Sequence, residues 1–245
     1  MKIFGFIPAR MASSRFPGKP LKKILGKTML EHVFERAKKF EKWSELKIAT
    51  CDEEIKKFCI LKNYPVVMTS KKHVRCLDRV FEAAKKNNLK IKNDDLVVCV
   101  QGDEPMLDPK MIQNVIFPFK SKKYINATVL AMEIVEKKQF YNPDTVKIVH
   151  DLKGKVLYTS RSPVPYCEKF SKKIKARRIY GIFAFKWDFL KKFNKLKPSP
   201  LEIMESCDSN RICDNGGGLF IAKQKYADSF SVDSPSDLKK VEKYM

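Results

Sequence analysis

Short apolar runs alternate with segments of helical periodicity along the first half of the chain, and this alternation restricts the fold more than any other feature. Such a pattern is typical of α/β proteins with a parallel sheet. The predicted strands are Ile3–Ile7, Leu46–Thr50, Val66–Met68 and Leu96–Gln101. The predicted helices between them are Met29–Lys42, Glu53–Lys62 and Cys76–Lys86. Because ligands of open α/β sheets bind at the carboxyl ends of strands, a functional site is expected at those ends.

The second half of the chain has closely spaced strand patterns instead. They are Ala127–Val135, Val146–Val149, Lys155–Thr159, Arg178–Phe185 and Leu219–Ala222. Several lie too close together for crossover helices, which predicts an antiparallel extension of the sheet. A short helix over Glu202–Asn210, a short strand over Ser229–Asp233 and a helix from Pro235 complete the prediction.

Length and composition indicate a globular chain with one large core. The chain has 245 residues, of which 44% are hydrophobic, and no apolar run is long enough to span a membrane. Met1 leads almost directly into a strand, so no signal peptide is expected. The seven cysteines form no C-x-x-C pair, which favours buried thiols in a reducing cytoplasm. The three scattered histidines give no reason to expect a zinc site.

The formal net charge of +22 raises the question of nucleic-acid binding. Most of the excess is lysine, in pairs scattered along the whole chain, and no nucleic-acid-binding motif accompanies it. We therefore interpret the charge as a solvated, lysine-rich surface rather than a nucleic-acid interface. A positive field still favours the approach of an anionic substrate.

The loop after the first strand carries three cations, Arg10, Arg15 and Lys19, among small residues and prolines. It is neither a Walker A loop nor a dinucleotide G-x-G-x-x-G motif. Taken alone, it could be a solvated basic connection. Its ordered spacing after a buried strand favours a polyphosphate-binding loop.

Two aspartates follow predicted strands. Asp103 comes after the strand Leu96–Gln101, at the sheet edge where the basic loop also lies, and Asp233 ends the strand Ser229–Asp233. A carboxylate at this edge suits Mg²⁺ held against a triphosphate. The alternatives are that Asp103 or Glu104 caps the next helix and that Asp233 is an N-cap. The spacing in the chain does not establish that the two aspartates pair.

These motifs occur in the order found in one enzyme family. The shared segments are Ile7-Pro8-Ala9-Arg10, Ser13-Ser14-Arg15, Pro17-Gly18-Lys19-Pro20, Met68-Thr69-Ser70, Val100-Gln101-Gly102-Asp103-Glu104-Pro105, Tyr158-Thr159-Ser160-Arg161, Pro198-Ser199-Pro200-Leu201-Glu202 and Val232-Asp233-Ser234-Pro235. From residue 3 to about 240, the chain resembles the CMP-Kdo synthetases, the 3-deoxy-manno-octulosonate cytidylyltransferases.

The resemblance implies an α/β fold of the nucleotide-diphospho-sugar transferase type, a Rossmann-like mixed sheet with an antiparallel dimerisation extension. It implies one cytidylyltransferase domain over residues 1–245, in which residues from about 124 to 200 bind the sugar and form a homodimer. It also implies CTP and a 2-keto-3-deoxy sugar acid as substrates, Mg²⁺ as the metal, and a setting in capsule or lipopolysaccharide assembly.

By the same resemblance, individual residues acquire expected roles. The catalytic residues would be Arg10, Lys19 and Asp103. The nucleotide would be bound by Pro8, Ala9, Arg10, Arg15, Lys19, His73, Arg75 and Arg79. The sugar acid would be bound by Gln101, Arg161, Ile179, Tyr180, Glu205, Asp208 and Ser209. The metal would be held by Asp103 and Asp233.

The chain also departs from the family pattern. Residues 73–79 read His-Val-Arg-Cys-Leu-Asp-Arg where the family has His-Gln-Ser-Gly-Thr-Asp/Glu-Arg. Ile179 stands where the family has a histidine, and Asp208 and Ser209 replace Glu and Gln. Because buried hydrogen bonds to hydroxyls discriminate strongly, these changes favour a sugar acid that is related to Kdo but is not necessarily Kdo. Unchanged use of Kdo is the alternative, since the changes could be neutral. Further alternatives are a nonulosonic acid such as an acylneuraminate, or a non-catalytic basic protein that binds nucleotides or nucleic acid.

Overall fold

The computed structural model describes residues 1–12, 15–86 and 89–245; Ser13 and Ser14 of the opening motif lie outside these residues. The strands are β1 (Ile3–Ala9), β2 (Lys23–Ile24), β3 (Lys27–Thr28), β4 (Glu45–Thr50), β5 (Val66–Met68), β6 (Leu96–Val100), β7 (Ala127–Glu133), β8 (Lys147–His150), β9 (Val156–Ser160), β10 (Arg177–Lys186) and β11 (Leu219–Gln224). The helices are α1 (Met29–Lys38), α2 (Glu53–Leu61), α3 (Cys76–Lys86), α4 (Pro109–Ile116), α5 (Pro118–Ser121), α6 (Lys137–Tyr141), α7 (Trp187–Lys195), α8 (Pro200–Glu205), α9 (Asp208–Asp214) and α10 (Pro235–Tyr244).

The described residues form one large mixed sheet with the strand order β11-β7-β10-β6-β1-β4-β5. The pairs β6–β1, β1–β4 and β4–β5 are parallel, whereas β10 runs antiparallel to both β6 and β7. β8 pairs with β10 and β9, both antiparallel, while β11 returns parallel to β7. The predicted mixed α/β sheet with an antiparallel extension is confirmed, and β11 adds a parallel strand at the edge of that extension.

Helices cover both faces of the sheet. α1, α2 and α4 pack one face through residues such as Val33, Ile55 and Ile112. α3 and α7 pack the other face through residues such as Val80 and Phe193. Because β6 is sandwiched between these layers, all five of its residues are buried. Its carboxyl end is consequently fixed in position, together with the polar residues that follow it.

Three predicted elements were wrong in detail. The first helix ends at Lys38, because the chain turns there to bring Phe40 into the core. The helix predicted over 202–210 is two helices, α8 and α9, because Ser206 takes a left-handed conformation (φ +52°). The predicted strand Ser229–Asp233 is an irregular segment, held by hydrogen bonds of both its backbone and its side chains.

No helix among the described residues has the length and apolar character needed to cross a membrane.

Candidate functional site

The carboxyl ends of β1 and β6 meet at Gly102. A Cβ atom at this position would lie 2.8 Å from the carbonyl oxygen of Pro8, so only glycine allows this approach. The loop after β1 is tied down nearby, since the Asp52 carboxylate accepts a hydrogen bond from the Met11 amide at 2.8 Å. The basic loop therefore lies beside Asp103, as its sequence predicted.

Lys19 joins the two predicted metal aspartates. Its Nζ lies 2.9 Å from Asp103 Oδ2 and 3.6 Å from Asp233 Oδ1, and it donates to the Val232 carbonyl oxygen at 2.7 Å. Burial alone would lower the pKa of Lys19, but the two carboxylates outweigh burial and raise it. Burial and the charge of Asp103 also raise the pKa of Asp233. The two aspartates, whose relative position the sequence left open, thus lie close enough to share one ammonium group.

Neither aspartate serves as a helix cap. Ser234, not Asp233, is the N-cap of α10, and Asp108 is the N-cap of α4. The other oxygen of Asp103, Oδ1, is buried and has no hydrogen-bond partner among the residues that the structure describes. Two carboxylates with a free buried oxygen fit a hard cation such as Mg²⁺, which also takes substrate phosphates and water as ligands. Among the described residues no cluster of three or more potential metal ligands occurs, so such a cation would need those additional ligands.

A first cavity, with a volume of about 230 Å³, opens over the basic loop. All of the predicted nucleotide residues line it: Pro8, Ala9, Arg10, Arg15, Lys19, His73, Arg75 and Arg79. The exposed Arg10 and the Lys19 ammonium bring positive charge to this cavity. Its size and charge suit an anionic ligand with phosphate groups.

A second cavity, of about 190 Å³, adjoins the first. The two share Arg15, Gln101, Asp103 and Asp233. The predicted sugar residues that line the second cavity are Gln101, Arg161, Ile179, Asp208 and Ser209. A ligand in each cavity would therefore meet the other beside the two aspartates.

Two predicted sugar residues do not line the second cavity. Tyr180 is fully buried in the core on the opposite face of β10 from Ile179, and its hydroxyl bonds Ser229 Oγ at 2.5 Å. Successive side chains of a strand point to opposite faces, so Ile179 and Tyr180 cannot both face the cavity.

Glu205 lies behind the cavity wall rather than in it. Its carboxylate accepts hydrogen bonds from Tyr158 (2.5 Å), Ser160 (2.8 Å) and the Arg161 amide (2.8 Å). Arg161 Nε in turn donates to the Glu205 carbonyl oxygen at 2.8 Å. Despite partial burial, these donors lower the pKa of Glu205. Glu205 thus holds the Arg161 guanidinium in place.

The sequence interpretation missed Asp144, Glu104 and Lys147. Asp144 lines the second cavity and pairs with Arg15 and, at 3.8 Å, with Arg161. Burial and the charge of Asp103 raise the pKa of Glu104 to about 7. Lys147 is fully buried and donates to the Arg161 carbonyl oxygen at 2.5 Å. A signal for Lys147 existed, because a lysine inside an apolar strand requires buried partners.

The mixed sheet and the cation-lined cavity at its carboxyl edge define a nucleotide-binding α/β protein. The family model described as "Cytidylyltransferase" matches residues 4–226. The 3-deoxy-manno-octulosonate cytidylyltransferase of Geobacter metallireducens is 37% identical, over 98% of this chain and 96% of that protein. The enzyme of the same name from Fusobacterium nucleatum is 35% identical, over 100% of this chain and 97% of that protein.

A solved structure agrees with these relatives. The CMP:2-keto-3-deoxy-manno-octonic acid synthetase complexed with CTP superposes with a TM-score of 0.87 and 31% identity, covering 100% of this chain and 98% of that one. The chain belongs to the cytidylyltransferase family. The resemblance seen in the sequence motifs is confirmed.

Proposed function

We propose that this chain transfers the CMP group of CTP to the anomeric hydroxyl of Kdo or a related 2-keto-3-deoxy sugar acid, releasing pyrophosphate. The names of the relatives and of the solved CTP complex support both substrates. The observation that carries the proposal is the junction of two cavities beside Asp103 and Asp233. A nucleotide in the first cavity and a sugar acid in the second would meet there.

The reaction needs positioning and charge stabilisation rather than a covalent intermediate. The sugar hydroxyl oxygen forms a bond to the α-phosphorus, and the bond from that phosphorus to the bridging oxygen of pyrophosphate breaks. Arg10, Arg15 and Lys19 would bind the triphosphate and stabilise the charge that develops on its oxygens. Holding both substrates in line removes much of the entropic barrier.

Asp103 and Asp233 would hold Mg²⁺, and the free buried Oδ1 of Asp103 supports this assignment. Such an ion neutralises phosphate charge during transfer. Lys19, which bonds Asp103 Oδ2 and the Val232 carbonyl oxygen, keeps both carboxylates in position.

For the sugar acid, Arg161 is a cation of the second cavity that suits a carboxylate, since guanidinium groups bind carboxylates in a bidentate manner; Arg15, which the two cavities share, is assigned to the triphosphate. Ile179 offers this cavity an apolar surface and no hydrogen bond. We therefore propose an acid whose binding needs no hydrogen bond from the side chain at position 179. This requirement allows Kdo derivatives as well as Kdo.

The proposed assembly is a homodimer acting in the cytoplasm. Exposed apolar residues on the antiparallel extension and on α8 support the dimer: Leu157, Tyr166, Ile203 and Met204. The mass measured by light scattering tests it. The seven free cysteines support a reducing compartment.

The deciding experiment measures pyrophosphate release with Mg²⁺, comparing CTP with UTP, ATP and GTP over a panel of sugar acids that includes Kdo and an acylneuraminate. We expect turnover with CTP and one acid of the Kdo type. Asp103→Asn should lower kcat/KM by about 10²- to 10³-fold, because it removes a charge beside the reacting phosphates. The matched control is Asp108→Asn, an exposed N-cap at which asparagine is equally suitable. Turnover of the acylneuraminate alone, or none with any pair, would refute the proposal.

A further inference from the structure

Cys76, the first residue of α3, lines the first cavity beside Gln101, which lines both cavities. It is partly buried, and its sulfur accepts a hydrogen bond from Gln101 Nε2 at 3.4 Å. The thiol donates to Asp208 Oδ2 at 3.2 Å. The Leu77 amide donates to the same carboxylate oxygen at 3.0 Å. One thiol thus connects two side chains that line the second cavity.

The hydrogen bond from Gln101 Nε2 to the Cys76 sulfur fixes the orientation of the Gln101 side-chain amide. On its other side, this amide packs against the backbone of β10, where a Cβ atom on Gly181 would lie 2.6 Å from Gln101 Oε1. With Nε2 directed to the sulfur of Cys76, Oε1 is directed towards β10. The amide would otherwise be free to exchange its donor and acceptor ends.

The protonation states agree with this arrangement. The neighbouring Cys99 thiol, burial and the charge of Asp208 raise the pKa of the Cys76 thiol. Burial raises the pKa of Asp208, and the bonds from the Leu77 amide and the Cys76 thiol oppose that rise. The sulfur therefore keeps its proton and donates it, as an unreactive buried thiol does.

The hydrogen bond between Cys76 and Asp208 joins two positions at which the chain departs from the family pattern, and nothing in the sequence indicated that these positions are related. Cys76 belongs to the altered segment beside the first cavity, and Asp208 belongs to the altered helix beside the second. Cys76 stands where the family has glycine, which has no side chain with which to make this bond.

We propose that Cys76 is a positioning residue for the sugar acid, which acts by orienting Gln101 and Asp208. This inference rests on the proposed function for its substrate. Cys76 itself lines the first cavity, but among the described residues it bonds no cation of the basic loop. The side chains that it contacts, Gln101 and Asp208, both line the second cavity, so its expected effect is on the sugar acid.

Steady-state kinetics of Cys76→Ala and Cys76→Ser test this role. Loss of a hydrogen bond in Cys76→Ala should raise KM for the sugar acid about five- to ten-fold, with KM for CTP changed less than about two-fold. Cys76→Ser keeps a donor and an acceptor and should restore most of the loss. The matched control is Cys213→Ala on α9, whose thiol bonds the Val156 carbonyl oxygen at 3.8 Å. An unchanged KM for the sugar acid, or an equal rise in both KM values, would overturn the role.

A second measurement does not depend on turnover. In urea unfolding, Cys76→Ala combined with Asp208→Ala should lose less stability than the sum of the two single losses, because each substitution removes the hydrogen bond between these two side chains. Additive losses would overturn the contact itself. If the wild-type chain turns over no sugar acid, the proposed function fails, and this cycle still decides whether the side chains act together.

Discussion

The two cavities have walls of different construction. One wall of the first cavity includes residues 69–73 and 79–82, which we name the local wall because most of their hydrogen bonds join residues close together in the chain. The intervening residues 75–78 instead contact the distant segment 202–211. Arg79 donates to Thr69 Oγ1 at 2.5 Å and to the carbonyl oxygen of His73 at 3.3 Å. Glu82 accepts a hydrogen bond from the Ser70 amide at 2.9 Å and also pairs with His73.

The remote wall, residues 158–161 with 202–211, closes the second cavity and joins distant parts of the chain. Thr159 bonds Asn210 by both side chain and backbone. Arg211 bonds Asp78, 133 residues away, at 2.8 Å and Glu202 at 2.6 Å. The Arg211 guanidinium also lies over the ring of Phe193.

This difference has a consequence for how the two cavities tolerate change. The local wall contains contacts that a short segment can keep by itself. The remote wall depends on buried charges that need one another, since removal of one leaves the others without a partner in a medium of low dielectric. Substitutions in the remote wall should therefore alter stability and sugar binding together, while those in the local wall should have smaller effects.

The largest effect is expected for Arg211→Met. Glu202 is fully buried, so loss of its guanidinium partner should lower the free energy of unfolding by about 3–5 kcal/mol, measured by urea denaturation. The control is Lys192→Met, which removes an exposed ion pair with Asp188 and should cost less than about 1 kcal/mol. Similar losses in the two variants would contradict the distinction between the walls.

An intermediate effect, on binding of the sugar acid, is expected for Arg161→Lys in the remote wall. The substitution keeps the charge but loses the bonds from the guanidinium to the carbonyl oxygens of Glu205 (2.8 Å) and Pro143 (3.0 Å). KM for the sugar acid should rise about ten-fold, with KM for CTP almost unchanged, because lysine cannot reproduce a bidentate contact. Arg36→Lys, at a position that lines neither cavity, is the kinetic control. A matching rise in KM for CTP would show that the two cavities are not independent.

The smallest effect is expected for Glu82→Gln in the local wall. Despite the opposing effect of burial, hydrogen bonds from Lys86, the Ser70 amide and His73 lower the pKa of Glu82 to about 2 from its usual 4.5. The carboxylate therefore stabilises the folded state above pH 4.5, and this contribution is lost as the pH falls towards 2.

At neutral pH the variant should be less stable than wild type by about 1 kcal/mol, since solvent screens much of the interaction. The difference should vanish near pH 2 in unfolding curves recorded across this range. A difference that stays constant with pH would mean that the carboxylate charge is not responsible.

The sequence was sufficient for the local parts of the site. Arg10, Lys19 and Asp103 could be placed together because each follows a buried parallel strand, and such strands end at one edge of the sheet. The prediction that Tyr180 binds the sugar acid was wrong, because its side chain lies in the core. A family motif does not say which face of β10 a residue occupies, whereas the alternation of side chains along the strand does.

The remainder could not be predicted because it depends on tertiary contacts between distant segments. The alternating pattern of 229–233 suggested a strand, yet Ser231 bonds the Glu104 carboxylate and the Val232 amide bonds the Asp103 carbonyl oxygen instead of a full neighbouring strand. Likewise, nothing in the spacing of Cys76 and Asp208 indicated their contact, which spans 132 positions.

The bridge that the Lys19 ammonium forms between the Asp103 and Asp233 carboxylates has a further consequence for folding. Its partners Asp103 and Asp233 come from widely separated parts of the chain, so the bridge forms only when three distant segments have all docked. A partly folded chain, or one nicked so that the segment around 229–233 detaches, would lack the complete site while keeping most of its sheet. A ligand that bridges this junction would bind the native state alone and raise its melting temperature. Protection by substrate therefore reports the integrity of the whole chain.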